Sequence, residues 1–472
     1  MLTQLLARQI TDNCGFTPTG QQAEAIMRIS QFLLSRDNET IFLLKGYAGT
    51  GKTSLAAAIV KTLGTIKARA VLLAPTGRAA KVFSQYSGHK AYTIHKAIYR
   101  QKVFSPEMNN FVMGHNMSRD TVFIVDEASM ISDSGGGEAH FGSGHLLNDL
   151  IEFVYSGDNC KLMMIGDTAQ LPPVGENESP ALSRTSLAAY GFKVDQVELT
   201  EVVRQRDTSG ILANATAIRD IIRAGGPDGM PRMDVSRFAD IRRVTGADLV
   251  DAISDCYSHD GRDQTIVITR SNHRANIYNR GIRNMILYRE EELERGDIIM
   301  IAKNNYAADL TGTDIEFIAN GDIAVVRRVR RNIDAYGLRF ADVTIAFPDY
   351  DNYELEARVI LDTLHSETAS LGREQSEALF QGVYDSYADV KTKRERMKKV
   401  KADPFYNALQ IKYAYAVTCH KAQGGQWTNI FLDHGYVTDD MIDTDYLRWL
   451  YTAVTRATGT LYLVNYPDDE CI

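Results

Sequence analysis

Short apolar runs alternate with helical patterns through the first part of this 472-residue chain. Four of these runs, TIFLLKG, AVLLAPTG, TVFIVDEAS and KLMMIGD, end in small or polar residues. Such alternation is typical of an α/β fold, in which the carboxyl ends of parallel strands carry a site. A second series follows with TIVITRS, KYAYAVTCH, TNIFLDHG and GTLYLVNY. The pattern therefore predicts two α/β units in tandem.

Two interruptions divide these units. Segment 99–120 has strand-like halves around Ser-Pro and Asn-Asn turn signals, which predicts a hairpin. Segment 330–407 alternates in the manner of strands and then becomes charged and helical, which predicts an insertion of mixed type. We therefore expect a first unit of residues 1–98 and 121–198, and a second unit of residues 199–329 and 408–472.

A glycine-rich turn follows the first apolar strand. GYAGTGKT, from Gly46 to Thr53, fits the pattern G-x-x-x-x-G-K-[ST] between a strand and a good helix former. Such a loop crowds backbone N–H groups around phosphate oxygens at the positive end of a helix. Lys52 would reach the β- and γ-phosphates, and the Thr53 hydroxyl would bind Mg²⁺. The predicted nucleotide-binding residues here are Gly46, Gly49, Thr50, Gly51, Lys52, Thr53 and Ser54.

Polar side chains end two further strands. Asp126 and Glu127 follow TVFIV, where one carboxylate can hold Mg²⁺ and the next can take a proton from the attacking water. Together with the glycine-rich loop from Gly46 to Thr53, called the P-loop below, the acidic pair indicates hydrolysis rather than storage of a bound nucleotide. An acidic pair in this place can also cap a helix. Gln170 in GDTAQLPPVG has an amide able to orient water or sense the γ-phosphate. In isolation that segment could be a proline-rich turn.

Composition limits the partners that the chain can have. Its apolar content of 44% is ample for buried cores, and its net charge of -8 gives no global field that attracts nucleic acid. Any nucleic-acid binding must use a local basic lining. The five scattered cysteines lack C-x-x-C spacing, so they predict neither a zinc site nor a disulfide framework. We expect a protein of the reducing cytoplasm, without a membrane span.

Eight segments resemble, in order and spacing, the motifs of superfamily 1B DNA helicases, most closely the RecD-like and Dda-like branch. They are GYAGTGKT, APTGRAAKVF, YTIHKAIY, VDEASM, GDTAQLPPVG, LTEVVRQ, YAVTCHKAQGGQW and LYTAVTRA, and the resemblance covers about residues 16 to 466. It implies two RecA-like P-loop domains, a hairpin insertion in the first and an SH3-like insertion in the second. It also implies an ATP- and Mg²⁺-dependent helicase that travels 5′→3′ on single-stranded DNA and unwinds duplex.

The resemblance assigns further residues to the nucleotide site. Gln22 in TGQQAEA is similar to the glutamine that reads adenine in this family. Arg204 in EVVRQ and Arg456 in VTRA are similar to two arginines that reach the γ-phosphate from the second domain. An always-charged planar guanidinium suits the charge that phosphoryl transfer spreads over oxygens. The predicted catalytic residues are Lys52, Asp126, Glu127, Gln170, Arg204 and Arg456.

Other motif residues resemble those that contact the DNA strand in both domains. They are Thr76, His95, Lys96, Thr418, His420 and Lys421. Their hydroxyl, imidazole and ammonium groups would grip phosphates without sequence preference. A lone histidine such as His95 can equally be a satisfied core residue. The run from Lys391 to Lys401 holds seven basic residues and can be a solvated helix face or a DNA-facing one.

Unwinding needs a wedge where the duplex splits. Phe104, Pro106 and Phe111 in the predicted hairpin could stack on or split the terminal base pair. An ordinary surface hairpin is the alternative.

The expected partners are single-stranded DNA and single-strand/duplex junctions, with possible single-strand-binding or replication proteins. The resemblance is consistent with a monomer in the cytoplasm of a bacterial or phage-infected cell, active in replication, recombination or repair. Two other function classes stay open. An RNA-directed translocase would use the same P-loop and arginines, and RNA as the ATPase activator would reveal it. A non-translocating ATP switch or small-molecule kinase would not need the TIHK and TCHKAQG segments.

Overall fold

The computed structural model describes residues 1–101, 111–135, 142–202, 208–226, 229–305, 308, 310 and 317–472. The strands of this part are β1 (Thr40–Gly46), β2 (Arg69–Ala74), β3 (Ala91–Thr93), β4 (Tyr99–Gln101), β5 (Phe111–Met113), β6 (Thr121–Val125), β7 (Lys161–Gly166), β8 (Lys193–Leu199), β9 (Ile241–Val244), β10 (Thr265–Thr269), β11 (Ile298–Ile301), β12 (Ile323–Ala335), β13 (Leu338–Phe347), β14 (Tyr353–Ile360), β15 (Leu409–Tyr413), β16 (Ala416–Thr418), β17 (Trp427–Asp433) and β18 (Ala457–Val464).

The α-helices of the same ranges precede the first strand or lie between strands. They are α1 (Leu2–Asn13), α2 (Gly20–Leu34), α3 (Lys52–Thr65), α4 (Gly77–Ser87), α5 (Ile94–Ile98), α6 (Leu146–Tyr155), α7 (Arg184–Ala189), α8 (Gly210–Arg223), α9 (Leu249–His259), α10 (Asn272–Gly281), α11 (Arg373–Ser386), α12 (Lys393–Lys401), α13 (Cys419–Ala422) and α14 (Thr444–Val454).

The first sheet has six parallel strands in the order β3-β2-β6-β7-β1-β8. Strands β6 and β7 are buried along their whole length. That burial explains why their sequences are continuous apolar runs rather than alternating ones. Strand β1, which leads into the P-loop, lies between β7 and β8. The part of the chain built on this sheet is called the first lobe below.

The second sheet is also parallel, with the order β16-β10-β17-β18-β9. Strands β10 and β17 at its centre have buried side chains at nearly every position. Helices α8 and α14 contribute to the same core as these strands. The part of the chain built on this sheet is called the second lobe. Two parallel α/β units in tandem confirm the predicted fold class.

A closed barrel of β11, β12, β13, β14 and β15 interrupts the second lobe. Its interior is lined by small and branched apolar residues such as Val326, Ala341 and Val359. The barrel fits the predicted SH3-like insertion. The barrel extends beyond the predicted range 330–407 at both ends. Strand β11 and the start of β12 precede that range, and β15 follows it. The charged helix α12 lies within the range, beside α11.

The base of the predicted hairpin 99–120 is an antiparallel pair, β4 with β5. Phe111 is 3% exposed and its ring centroid lies 6.0 Å from that of Phe317. A side chain buried in this way has no face free to stack on a base pair. The wedge prediction therefore depends on Phe104 and Pro106, which lie outside the described residues.

Candidate active site

The P-loop connects β1 to α3 in a tight turn. Gly49 has φ +76° and Gly51 has φ +82°, left-handed values that favour glycine. A Cβ atom at Gly46 would lie 2.8 Å from the Thr50 side-chain oxygen. Thr50 is buried, and its hydroxyl donates to the Tyr47 carbonyl at 2.8 Å. The loop is thus closed on itself at the N-terminus of α3, the end of a helix that favours phosphate.

The Lys52 side chain lies along this loop. Its Nζ donates to the Tyr47 carbonyl oxygen at 2.8 Å and lies 3.8 Å from the Asp167 carboxylate. Asp167 is 1% exposed, and burial raises the pKa of its carboxyl while Lys52 opposes that rise. The sequence analysis missed Asp167 as a site residue. Its position directly after the apolar run KLMMIG, like that of Asp126 after TVFIV, was the available signal.

Asp126 and Glu127 follow β6, which β7 separates from the P-loop strand β1 in the sheet. Burial and the neighbouring Glu127 raise the pKa of Asp126 to about 7. Glu127 has φ +52°, a left-handed conformation that is uncommon for a residue with a side chain. Strain of this kind clusters at functional sites. Glu127 precedes the short 3-10 helix Ala128–Met130, and its side chain makes no capping hydrogen bond to that helix.

The donor set present fits Mg²⁺. Thr53 and Asp126 offer hydroxyl and carboxylate oxygens, the ligand type that this ion prefers. Within the described ranges, no group of three or more His, Cys, Asp or Glu residues forms a metal site of its own. Mg²⁺ usually takes one or two protein oxygens and completes its shell with water and substrate phosphates. Thr53 and Asp126 would thus hold the ion only together with a nucleotide.

Gln170 lies close to this site on the loop after β7. It is 6% exposed, and its Oε1 is buried without a hydrogen-bond partner in the described part of the chain. A buried amide oxygen of this kind is costly unless a ligand or water satisfies it. The geometry is consistent with the predicted contact to a water or γ-phosphate.

Arg456 reaches the same site from the second lobe. It is 4% exposed, and its Nη1 lies 3.5 Å from Glu127 Oε1. Its Nε donates to the Thr452 carbonyl at 3.2 Å, which fixes the direction of the side chain. The structure thus brings Arg456 together with the acidic pair of the first lobe. Arg204 lies outside the described residues, so its role stays a prediction.

Gln22 ties α2 to the P-loop. Its Oε1 accepts from the Thr19 backbone N–H at 3.0 Å, and its Nε2 donates to the Thr50 carbonyl at 2.9 Å. Thr19 accepts in return from the Gln22 backbone, which completes a capping box. Both polar atoms of the amide are therefore engaged by the protein. Adenine reading by Gln22 stays a prediction, and it would require at least one of these bonds to be exchanged.

The predicted strand-binding segments of the two lobes meet near Thr76. The Thr76 hydroxyl caps α4 by accepting from the Ala79 N–H at 3.2 Å. Gly424 of the second lobe approaches so closely that a Cβ there would lie 3.1 Å from Thr76 Oγ1. Arg78, the second residue of α4, lies against Trp427. These contacts place the APTGRAA and TCHKAQGGQW motifs on a shared surface.

The predicted contacts on the second lobe lie around α13. Thr418 is the N-cap residue of this short helix, and His420 is exposed. Lys421 donates to the Asn320 side chain beside the barrel. Partial desolvation lowers the pKa of Lys421, and together with the charge of Lys421 it also lowers the pKa of His420. These groups therefore stand at the junction of the second lobe and the barrel.

His95 and Lys96 lie on α5 of the first lobe, where a cavity of 720 Å³ separates α4 and α5 from the barrel. Burial lowers the pKa of His95 to about 4, so its ring is neutral at pH 7 and contacts Tyr99 with centroids 5.7 Å apart. The cavity lining contains two acids, Asp349, which pairs with Lys81 at 3.0 Å, and Asp351, beside cationic and aromatic groups. It includes Lys81, Lys90, Lys96, Tyr92, Tyr350 and Tyr353. Such a mixture is typical of a surface that takes phosphates and stacked bases.

Two family models match the chain. One, described as an AAA domain, matches residues 18–228, and the other, the UvrD-like helicase C-terminal domain, matches residues 413–464. The first covers the P-loop and the acidic pair, and the second covers the segments around Thr418 and Arg456. A helix able to cross a bilayer is not found in the ranges that the structure describes.

Several known proteins are similar to the chain. The ATP-dependent DNA helicase dda of Enterobacteria phage T4 is 24% identical over 89% of the chain and 93% of its own length. The ATP-dependent RecD2 DNA helicase of Deinococcus radiodurans is 28% identical over 37% of the chain, a match that spans 21% of RecD2. An uncharacterized protein of Acanthamoeba polyphaga mimivirus, R530, is 23% identical over 91% of the chain and 96% of its own length.

Solved structures of Pif1 helicases align with almost the whole chain. The Bacteroides protein in complex with ADP-AlF3 and single-stranded DNA is 16% identical, with a TM-score of 0.47. The alignment covers 97% of this chain and 95% of that protein.

Proposed function

The chain belongs to the superfamily 1B DNA helicases, in their RecD-like and Dda-like branch, and from this membership we propose that it travels 5′→3′ along single-stranded DNA and unwinds duplex as it hydrolyses ATP. Enzymes of this class hydrolyse ATP, and two of the relatives reported above, those of phage T4 and Deinococcus radiodurans, are named as ATP-dependent DNA helicases. The family membership leaves the direction of travel and the details of unwinding to be proposed for this chain.

One observation carries it: the proposed ATP site takes residues from both lobes. Arg456 of the second lobe lies 3.5 Å from Glu127 of the first. An arginine supplied to a phosphoryl-transfer site is worth on the order of 10³ to 10⁵ in rate. Hydrolysis would therefore depend on how closely the lobes approach. The loss of the terminal phosphate would in turn weaken the contact between them.

The residues of this site divide the chemistry among them. Lys52 would leave the Tyr47 carbonyl to bind β- and γ-phosphate oxygens, and Gln170 would orient the attacking water. Glu127 would take the proton of that water, with Arg456 close enough to stabilise charge on the transferred group. Mg²⁺, when bound by Thr53 and Asp126, would neutralise charge on the phosphate oxygens.

The strand would run over both lobes. Thr76 with Lys96 on the first lobe, and Thr418 with Lys421 on the second, present groups suited to phosphate contact. The cavity between α4 and the barrel is lined by lysines and tyrosines, which supports a path beneath the barrel. If each lobe grips in turn, opening and closing of the ATP cleft would step the enzyme along the strand.

A strand-displacement assay with paired 5′-tailed and 3′-tailed duplexes tests the proposal. Unwinding of the 5′-tailed duplex alone, lost in Lys52→Ala, is the expected result. Unwinding of the 3′-tailed duplex alone would refute the direction. An ATPase that RNA activates as well as DNA would favour the RNA-directed class, and an ATPase indifferent to any strand would favour the switch or kinase class. Mass photometry on a forked substrate would test the proposed monomer.

A further inference from the structure

A hydroxyl of the second lobe is embedded in the P-loop. Tyr451, on α14, is 1% exposed, and its hydroxyl oxygen accepts a hydrogen bond from the Ala48 backbone N–H at 2.8 Å. The same hydroxyl donates to Asp167 Oδ2 at 2.8 Å. Tyr451 therefore contacts the backbone of one nucleotide-binding segment and the carboxylate of another. Neither contact follows from the motif residues assigned above.

Asp167 extends this contact to the P-loop lysine. The oxygen that accepts from Tyr451 lies 3.8 Å from Lys52 Nζ. The other carboxylate oxygen accepts from the Ala169 backbone at 2.9 Å. Hydrogen bonds to a carboxylate favour its charged form, and burial works against that form. The buried Asp167 thus depends on both Tyr451 and Lys52 for stabilisation.

The same helix carries Arg456 toward its target. Thr452, the next residue of α14, accepts from the Leu171 N–H of the first lobe at 2.8 Å. The Arg456 side chain in turn donates to the Thr452 carbonyl. Tyr451 and Thr452 therefore attach α14 to the first lobe at two adjacent points. The position of Arg456 relative to Glu127 is set by that attachment.

We propose that Tyr451 is a positioning residue for ATP hydrolysis. Its hydroxyl joins α14 to the P-loop and to Asp167. The position of the Lys52 side chain is thereby coupled to the position of Arg456. A phosphate that draws Lys52 away from Asp167 removes one of the three contacts that stabilise that carboxylate and leaves those from Tyr451 and the Ala169 N–H. The bond from Tyr451 then carries more of its stabilisation and holds α14 more firmly on the cleft. This inference rests on the proposed ATP hydrolysis and adds a residue to it.

Tyr451→Phe removes this hydroxyl and keeps the ring, and Tyr466→Phe is the matched control. Tyr466 is also buried, in the second lobe, and its hydroxyl has no hydrogen-bond partner among the described residues. We expect Tyr451→Phe to lower kcat for ATP by about ten- to a hundredfold, the range for losing one hydrogen bond to a charged group. KM for ATP should change little, because Tyr451 itself would not touch the nucleotide. Tyr466→Phe should keep the parent kcat.

The pH profile separates positioning from a general loss of structure. Asp167 faces Lys52, Tyr451 and Glu127. Without the Tyr451 hydroxyl, the carboxylate loses a bond that favours its charged form, so its pKa rises further. The acid limb of kcat against pH should therefore move to higher pH in Tyr451→Phe and stay in place in Tyr466→Phe. A kcat for Tyr451→Phe within about twofold of that of Tyr466→Phe, with the same acid limb, would overturn the proposal.

A second variant covers the case in which Tyr451→Phe does not fold. Asp167→Asn keeps an oxygen for the Tyr451 hydroxyl but removes the charge that faces Lys52, and it should also lower kcat at a little-changed KM. Parent-like hydrolysis by Asp167→Asn would overturn the coupling. The hydrolysis rates of the parent and of the Tyr451→Phe, Tyr466→Phe and Asp167→Asn variants are each measured with and without an oligothymidine strand. A parent rate that does not respond to the strand counts against the helicase proposal, whereas the variant comparison on the basal rate still decides the role of Tyr451.

Discussion

The guanidinium of Arg78, on the first lobe, lies 3.9 Å from the ring centroid of Trp427, on the second lobe. The distance is well within the reach of a cation–π contact. Arg78 also donates to the Gln426 carbonyl at 3.3 Å, and Trp427 is only 5% exposed. From the sequence alone, Trp427 could have been a base-stacking residue or a core residue. The structure instead gives it a partner from the other lobe.

Removing Arg78 should expose this tryptophan. The chain has two tryptophans, so Trp449→Phe leaves Trp427 as the sole indole emitter. In that background, Arg78→Ala should increase acrylamide quenching of Trp427 and shift its emission to longer wavelength, because one face of the ring loses its cover. Arg262→Ala, which alters another arginine of the same 500 Å³ cavity, is the control. Equal quenching in both variants would contradict a contact between the lobes at this point.

Asp322 of the barrel should make stability depend on pH. It is 6% exposed, accepts from the Tyr350 hydroxyl at 3.0 Å, and burial raises the pKa of its carboxyl to about 7. Because the folded pKa lies above the ordinary value of 3.8, the folded state holds a proton that the unfolded state has lost. This group therefore lowers stability as pH rises from about 4 to about 7.

Asp322→Asn should remove that dependence. Thermal melting at several pH values between 4 and 8 would measure it, and the melting temperature of the variant should gain on the parent as pH rises. The control is Asp334→Asn, on the same strand β12, where the side chain is exposed. A constant difference between parent and Asp322→Asn across this range would show that Asp322 titrates normally.

Residues 102–110, the tip of the hairpin that the sequence predicts, should be needed for unwinding but not for hydrolysis. Replacing residues 102–110 with a two-glycine turn keeps β4 and β5 and leaves the buried rings of Tyr99 and Phe111 in the core. The shortened protein should lose strand displacement and retain DNA-stimulated ATP hydrolysis, because the ATP site lies elsewhere in the first lobe. Phe104→Ala and Pro106→Ala would then separate the two candidate side chains. Equal loss of both activities would assign the tip a structural role.

Sequence reasoning located those parts of the site that a short segment specifies by itself. The P-loop from Gly46 to Thr53 and the strand-end acids are local patterns, and β1, β6 and β7 follow their apolar runs closely. The burial of Phe111 and the boundaries of the barrel were harder to predict from the sequence. An aromatic residue in a hairpin can face inward or outward with the same sequence, and β11 and β15 are short runs that resemble strands of the neighbouring sheet.

Apart from Arg456, which the family resemblance assigned to the γ-phosphate, the contacts between the lobes could not be predicted from the sequence. Tyr451 and Asp167 are 284 positions apart, and neither the spacing nor the character of the residues between them specifies that they meet. The same holds for Arg78 and Trp427. Such pairs depend on how two folded units dock, which is decided by packing across the whole interface and not by a local pattern.

The basic helix α12 should not contribute to the salt dependence of DNA binding. Val400 is the buried residue of this helix. Arg396 forms an ion pair with Asp385, and its guanidinium carbon lies 3.7 Å from the ring centroid of Tyr384. This arrangement attaches α12 to α11 and favours a solvated face for the exposed Lys393, Arg394 and Lys398.

Replacing those three exposed residues with serine should therefore leave the slope of log affinity against log salt for single-stranded DNA unchanged. Each phosphate that the protein no longer neutralises would reduce that slope by about 0.7 for a single strand, so fluorescence anisotropy over a range of salt concentrations can resolve the alternatives. Lys96→Ser, on the predicted strand path, is the positive control and should reduce the slope. A reduction of the slope in the triple variant would place α12 on the DNA.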